Sequence, residues 1–236
     1  MVRIDSPDNA TYKELKRIRT KGAATGFVLL EGERALRQLQ ADGRSFSLFV
    51  REEEHPDGRS IRADLFDRLC RTQSPQGILM KLAIPPERAF DGGPVLVLDR
   101  ITDPGNLGTL LRSAMAFGVR NILCLEGSVD VCNDKVLRAS LGAVLSLAIR
   151  QQAGVSEVVA LQRPLFLADL GGDDFASLDY PDNFALIIGN EANGPRDALK
   201  ALAPTVVTIP MKNKIESLNA AVAGGILLQA MVRRRK

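Results

Sequence analysis

No apolar run in this 236-residue chain reaches the roughly 18 to 20 residues needed to cross a bilayer. The first residues lack the apolar core of a secretory signal. Both absences point away from a helical membrane protein and a secreted one. A cytoplasmic protein is expected, or an organellar one whose targeting peptide has been removed. The three cysteines, Cys70, Cys124 and Cys132, are too few for a disulfide framework, and no two stand at CxxC spacing. With His55 the only histidine, a Cys/His zinc site is not expected. His55 lies among Glu52, Glu53, Glu54, Pro56 and Asp57, a solvated loop with nothing to tune an imidazole. Internal repeats and low-complexity segments are also missing.

Charge excess is small, a net +3 with a pI near 8.9. That total does not establish a nucleic-acid partner, but its distribution is suggestive. Lys13, Lys16, Arg17, Arg19 and Lys21 cluster near the start, broken only by Glu14, and the chain ends Arg233-Arg234-Arg235-Lys236. Clustered cations attract phosphates and release counterions on binding. A solvated helix face with a basic tail is the plainer alternative.

What is present is an ordinary globular composition, 45% hydrophobic and 25% charged. Proline and glycine crowd between Ala83 and Pro94, marking a linker over 85–93. Before it, residues 1–84 read as a small α/β domain. Helices are expected over Thr11–Thr20, Glu31–Ala41 and Ile61–Arg71, with strands over Phe27–Leu30, Phe46–Val50 and Ile78–Leu82. After it, residues 94–236 alternate strand and helix. Val95-Leu96-Val97-Leu98 is apolar throughout, as in a strand covered on both faces. Further strands are expected over Ile122–Leu125, Leu165–Ala168, Phe184–Ile188 and Val206–Ile209. Helices fit Asn106–Phe117, Lys135–Ala143, Arg196–Leu202 and Ser217–Val232. Such alternation predicts a mostly parallel sheet with helices on both faces. Ligands then bind beyond the C-terminal strand ends.

Three loops carry more than scaffold requires. The first runs from Leu98 to Arg112. Asp103 and Pro104 suit a helix start. Leu107, Leu110, Leu111, Ala114 and Met115 make a core-facing stripe. Asn106 and Arg112 stay polar on that otherwise apolar helix. The second, Gly189-Asn190-Glu191-Ala192-Asn193-Gly194-Pro195, frames one carboxylate between two glycines, allowing a tight turn or close ligand approach. The third runs from Ile209-Pro210-Met211 to Ser217-Leu218-Asn219 and enters a helix containing Gly224-Gly225. A helical Gly costs about 1 kcal/mol relative to Ala, so the pair predicts close approach of another backbone.

Taken together, these loops resemble the three signature motifs of the SpoU–TrmH-like RNA ribose methyltransferases of the SPOUT superfamily. The first motif appears as Asn106, Gly108 and Arg112, and the second as Gly189, Glu191 and Gly194. The third appears as Ile209-Pro210-Met211 with Ser217-Leu218-Asn219. Arg138-Ala139-Ser140-Leu141-Gly142-Ala143 is similar to the family between the first two motifs. The resemblance spans about Val95 to Met231. The N-terminal part resembles the small substrate-binding domain often fused to this one, an RNA-binding ribosomal-protein-like fold, through Asn9, the Lys13–Lys21 cluster and Leu30-Glu31-Gly32.

The resemblance implies an α/β fold with a deep C-terminal trefoil knot and a homodimer with its active site near the interface. It also implies S-adenosylmethionine-dependent methylation of a ribose 2′-hydroxyl in structured RNA, ribosomal RNA ahead of transfer RNA. No metal is required, because a sulfonium is already activated. Cofactor contacts carry over to Gly189, Ile209 and Leu218, and residues Ala168–Gly171 are expected to border the adenosine. Arg112 falls at the reacting ribose, with Glu191 and Asn106 orienting it and Ser217 and Asn219 shaping the pocket. The Lys13, Lys16, Arg17, Arg19 and Lys21 cluster is assigned to RNA phosphates. Competing readings are a non-catalytic RNA-binding protein on the same fold, a base-methylating SPOUT enzyme and a Rossmann dehydrogenase. No G-x-G-x-x-G follows Val95–Leu98, which weighs against the last.

Overall fold

The computed structural model describes residues 3–52, 55, 57–72, 74–202, 204–212 and 217–234. Residues 213–216 of the third loop, and Arg235 and Lys236 of the basic tail, lie outside the described residues. In chain order the first elements are α1 (Ala10–Lys21), β1 (Phe27–Glu31), α2 (Glu33–Ala41), β2 (Ser47–Arg51), β3 (Arg59–Ile61), α3 (Ala63–Leu69) and β4 (Ile78–Ala83). Then come β5 (Val95–Leu98), α4 (Pro104–Ala116), β6 (Asn121–Leu125), α5 (Asp134–Ala139), β7 (Ala148–Ala153) and α6 (Val155–Ala160). The last are β8 (Leu165–Asp174), β9 (Ala185–Ile188), α7 (Asp197–Lys200), β10 (Thr205–Thr208) and α8 (Ala220–Arg233). They form two compact units, Met1–Pro86 with Cys132–Leu145, and Glu87–Val131 with Ser146–Lys236. Residues 132–145, read in sequence as part of the second domain, group with the first unit.

The first unit holds a four-stranded sheet in the order β1-β4-β2-β3. β4 runs antiparallel to β1 and β2, and β3 is parallel to β2. Asn9 caps α1 by accepting from the Thr11 and Tyr12 N–H groups. Tyr12, Leu15 and Ile18 then form one buried stripe, packed with Leu29, Phe49, Leu65, Phe66 and Leu79. Burying each such side chain contributes about 1.5–3 kcal/mol. On the other sheet face, Leu30 points toward residue 142.

The α1 stripe leaves Lys13, Lys16, Arg17 and Lys21 exposed, while Lys13 pairs with Asp8 at 2.8 Å. Arg19 departs from the expectation that all five cations meet RNA. Its side chain is only 6% exposed and pairs with Glu31 at 2.7 Å and Asp134 at 3.1 Å. Glu31 also accepts from the backbone N–H groups of Arg71 and Thr72 and from the Thr72 hydroxyl. Asp134 faces Arg71 as well, at 3.6 Å. This buried network, with the Arg44 guanidinium donating to the Leu145 carbonyl, ties the 132–145 segment into the unit. Arg19 is therefore a structural ion, unavailable to phosphate.

The second unit is built on a six-stranded sheet, order β10-β8-β9-β5-β6-β7, in which every neighbouring pair is parallel. Val95, Val97 and Ile187 face a cluster containing Val158 of α6 and Leu199 of α7. Side chains alternate along a strand, so Ile188 turns to the opposite face, beside α8. α4 and α8 pack together there, with Leu107, Leu110, Leu111, Leu227 and Leu228 buried. Cys124 is fully buried in β6, and burial pushes its thiol up to about 12, so it acts as a small neutral hydrophobe. Strand β7 and helix α6 were not expected. β7 sits at the sheet edge and keeps only its end residues, Ala148 and Ala153, buried, so it lacks an apolar run.

The two helical glycines also differ from expectation. A Cβ on Gly224 would lie 2.3 Å from Leu110 Cδ2, whereas one on Gly225 would meet nothing nearer than Ser113 Oγ at 3.7 Å. The close neighbour is thus a side chain of α4, not a backbone, and only one glycine is constrained. The backbone contact lies elsewhere. A Cβ on Gly172 would fall 2.3 Å from the Val206 carbonyl oxygen, where the β8–β10 register shifts.

Removing one partner of a buried ion pair costs about 3–5 kcal/mol, so Arg19→Ala is expected to destabilise the chain by that amount. Lys16→Ala on the exposed face should stay within about 0.5 kcal/mol. Urea unfolding of both variants checks this. Equal midpoints would show that Arg19 is not the structural ion described.

Candidate active site

Because β5, β9 and β10 are parallel, their C-terminal ends open on one edge of the sheet, and the three singled-out loops leave from that edge. α4 begins with Asp103 as its cap, accepting from the Asn106 N–H at 2.7 Å, and with Pro104 in its first turn. The Asn106 side chain is thereby free of capping. Its Nδ2 donates to Glu191 Oε1 at 2.7 Å, and its Oδ1 accepts from Asn219 Nδ2 at 2.9 Å. Asn219 Oδ1 in turn caps α8, accepting from the N–H groups of Ala221 and Val222. One continuous chain of hydrogen bonds therefore joins a residue from each loop. The α8 cap is Asn219 and not Ser217, so the helix starts at Ala220.

The second loop is a compact turn. Gly194 N–H returns to the Asn190 carbonyl at 2.9 Å, and Asn190 Oδ1 accepts from the N–H groups of Ala192 and Asn193. Gly189 is required there, since an added Cβ would lie 2.4 Å from the Pro195 nitrogen. Gly194 has φ +63°, which suits glycine. Turn residues Gly189, Glu191, Gly194 and Pro195 wall a cavity of about 540 Å³. Ile209, Met211, Ser217 and Leu218 of the third loop line it as well, as do Ala168, Asp169 and Leu170 after β8. Its size lies within the ordinary range for small-molecule sites. Thr208 Oγ1 fixes the β8 wall by donating to the Asp169 carbonyl and accepting from Gly172 N–H.

Most of the sequence-derived site thus comes together. Gly189, Ile209 and Leu218 all line the cavity, beside Glu191 and Ser217, and Asn106 and Asn219 brace Glu191 from outside. Arg112 does not join them. It is exposed six residues further along α4, about 9 Å along the axis. Among the described residues it makes no hydrogen bond or ion pair, so the expected orientation of Arg112 by Glu191 and Asn106 is absent. Of Ala168–Gly171, Gly171 does not line the cavity.

Sequence reasoning passed over the residues that brace the second loop. Asp99, fully buried at the end of β5, accepts from Arg196 N–H at 2.8 Å and Arg196 Nε at 2.6 Å. Arg100 accepts from Asn190 Nδ2 through its carbonyl and donates to the Gly194 carbonyl through Nη2. The available signal was a carboxylate placed directly after an apolar strand. A shallow apolar groove lies between α4 and α8, lined by Thr109, Phe117, Val222 and Ile226. Val222 and Ile226 are exposed there.

Residues 93–229 match the SpoU rRNA Methylase family. The 23S rRNA (guanosine(2553)-2′-O)-methyltransferase RlmP of Bacillus subtilis is 30% identical over 243 residues, covering 97% of this chain and 98% of its own length. The solved structure of the SpoU methyltransferase AviRb from Streptomyces viridochromogenes, in complex with AdoMet, has a TM-score of 0.79 at 27% identity and covers 95% of this chain and 97% of that one. A crystal structure of an RNA 2′-O ribose methyltransferase has a TM-score of 0.81, 27% identity and 99% coverage of both chains.

Proposed function

This chain belongs to the SpoU rRNA methylase family, and from that premise we infer that it is an S-adenosylmethionine-dependent methyltransferase acting on a ribose 2′-hydroxyl of ribosomal RNA. The observation that carries the reading is the hydrogen-bond chain Asn219–Asn106–Glu191 at the wall of a 540 Å³ cavity. The residues present fit the cofactor. Ile188, Ile209, Leu218 and Leu227 offer apolar surface to a purine and to the methylene groups of the methionine part, and the Glu191 carboxylate complements the sulfonium charge. When bound, S-adenosylmethionine supplies a methyl group already activated on sulfur.

The chain's own task is to place and activate an alcohol, a weak nucleophile. Arg112 is the group assigned to it. Its planar fork serves to hold an RNA phosphate and steady the developing alkoxide. Asn106 and Asn219 keep Glu191 fixed in the cavity wall. The first unit supplies RNA affinity through Lys13, Lys16, Arg17 and Lys21.

The same reading includes a homodimer and a knotted C-terminal path. Exposed Val222 and Ile226 on α8 border the α4–α8 groove, and burying them needs a partner. Arg112 stands apart from its own cavity, so a second copy on this face would complete the site. The knot is supported by the route from β10, at the sheet edge beside β8, back to Asn219 beside Asn106. A crystal structure with solution sedimentation tests both, and a two-fold dimer with a knotted C-terminal path is expected. A stable micromolar monomer would refute the dimer, and an unthreaded path the knot.

Replacing Lys13, Lys16, Arg17 and Lys21 together by Ala should weaken RNA binding and flatten its salt dependence, leaving cofactor affinity unchanged. An unaltered salt slope would make the cluster a solvated face only.

Arg112→Ala is expected to slow single-turnover methyl transfer by about a hundred- to a thousandfold, the typical loss of one preorganised transition-state contact. Fold and cofactor binding should persist. Arg112→Lys separates charge from geometry, and a rate close to that of Arg112→Ala is expected because Lys lacks the fork. A native rate in Arg112→Ala would remove Arg112 from the mechanism.

A further inference from the structure

Asp99 places a fully buried carboxylate within the fold, next to the cavity but not lining it. Burial of a carboxylate is unfavourable unless hydrogen bonds compensate it, and a neutral side chain would end β5 without that cost. Both its oxygens are engaged by Arg196, one by the backbone N–H and one by Nε. The guanidinium reaches on through Nη2 to the Glu126 carbonyl beyond β6, at 2.8 Å. Arg196 is thus anchored to the ends of two strands, directly after the turn that carries Glu191. Arg100 secures the opposite limb. Its backbone is left-handed at φ +56°, which aims its carbonyl at Asn190 and its side chain at Gly194.

From this geometry we propose that Asp99 and Arg196 form a positioning pair that holds the 189–195 turn, and with it Glu191 and Gly189, in the ligand-binding shape before any ligand arrives. The proposal rests on the cofactor role assigned to that cavity. The physical reason is preorganisation. A wall already in its bound shape loses less conformational freedom when ligand enters. Asp99 and Arg196 touch no ligand and act through the turn.

The test uses the full-length chain carrying Arg196→Gln, which keeps the backbone N–H contact to Asp99 but removes the fork. The dissociation constant for S-adenosylmethionine, measured by calorimetry, is expected to rise about ten- to a hundredfold. Turnover at saturating cofactor should change less than about threefold, since bound ligand restores the turn. Arg196→Lys, which retains the charge, should recover part of the affinity. If Arg196→Gln fails to fold, Arg196→Lys, which leaves Asp99 and its 3.5 Å contact with Arg100 Nε in place, replaces it, and a smaller loss of affinity is expected. A folded variant with native affinity overturns the proposal. Amide exchange at Ala192, Asn193 and Gly194, measured without ligand, gives an independent reading. Faster exchange in the variant is expected, and unchanged exchange would overturn the positioning role. A native chain that does not bind S-adenosylmethionine would overturn the cofactor assignment instead, with the exchange result still deciding the role of the pair.

Discussion

The Asn106 amide connects three loops through one side chain, and the charge on Glu191 sets the direction of every bond in the chain. An ionised carboxylate only accepts, so Asn106 must turn its NH₂ toward Glu191. That leaves Asn106 Oδ1 as acceptor, which obliges Asn219 to donate. Asn219 then keeps its own oxygen for the first N–H groups of α8, which are donors by necessity. Reversing any one amide would face donor to donor or acceptor to acceptor along the row. The helix start and the cavity wall are therefore set by the same constraint.

The parallel sheet makes this convergence possible. Residues 106, 191 and 219 are far apart in the chain, but their loops leave the same edge. Short strands suffice because β5 and β9 are covered on both faces and entirely buried. Glycine allows close backbone approach at Gly189 against Pro195 and at Gly172 against Val206.

Charge is divided between two purposes. Arg19, Glu31 and Asp99 are buried, and half-buried Asp134 and Arg196 pair with them within the protein. Lys16, Arg17, Lys21 and Arg112 stay exposed, where a polyanion can reach them. The Arg19 network also explains why residues 132–145, although between β6 and β7 of the second unit, belong to the first. Asp134 completes the neutralisation of Arg19 there.

Most of the strands and helices, and all three motif loops, were legible in the sequence. Continuous apolar runs announced β5, β6 and β9. The Asp103-Pro104 start announced α4, and the three polar loops announced the site, because these signals are local. The tertiary structure alone decided which cation is buried, since Arg19 and Lys16 differ only in what lies across from them. It placed Glu191 beside Asn106 and away from Arg112, which six residues of helix turn to another face. It moved the start of α8 from Ser217 to Ala220, behind the Asn219 cap, and assigned to Leu110 the space that Gly224 leaves open. Edge strand β7 stayed hidden because a strand buried at its ends alone carries no apolar pattern. For Arg19 and Gly224 the deciding partners, Asp134 and Leu110, lie far along the chain, and pairing across that distance is a property of the folded state.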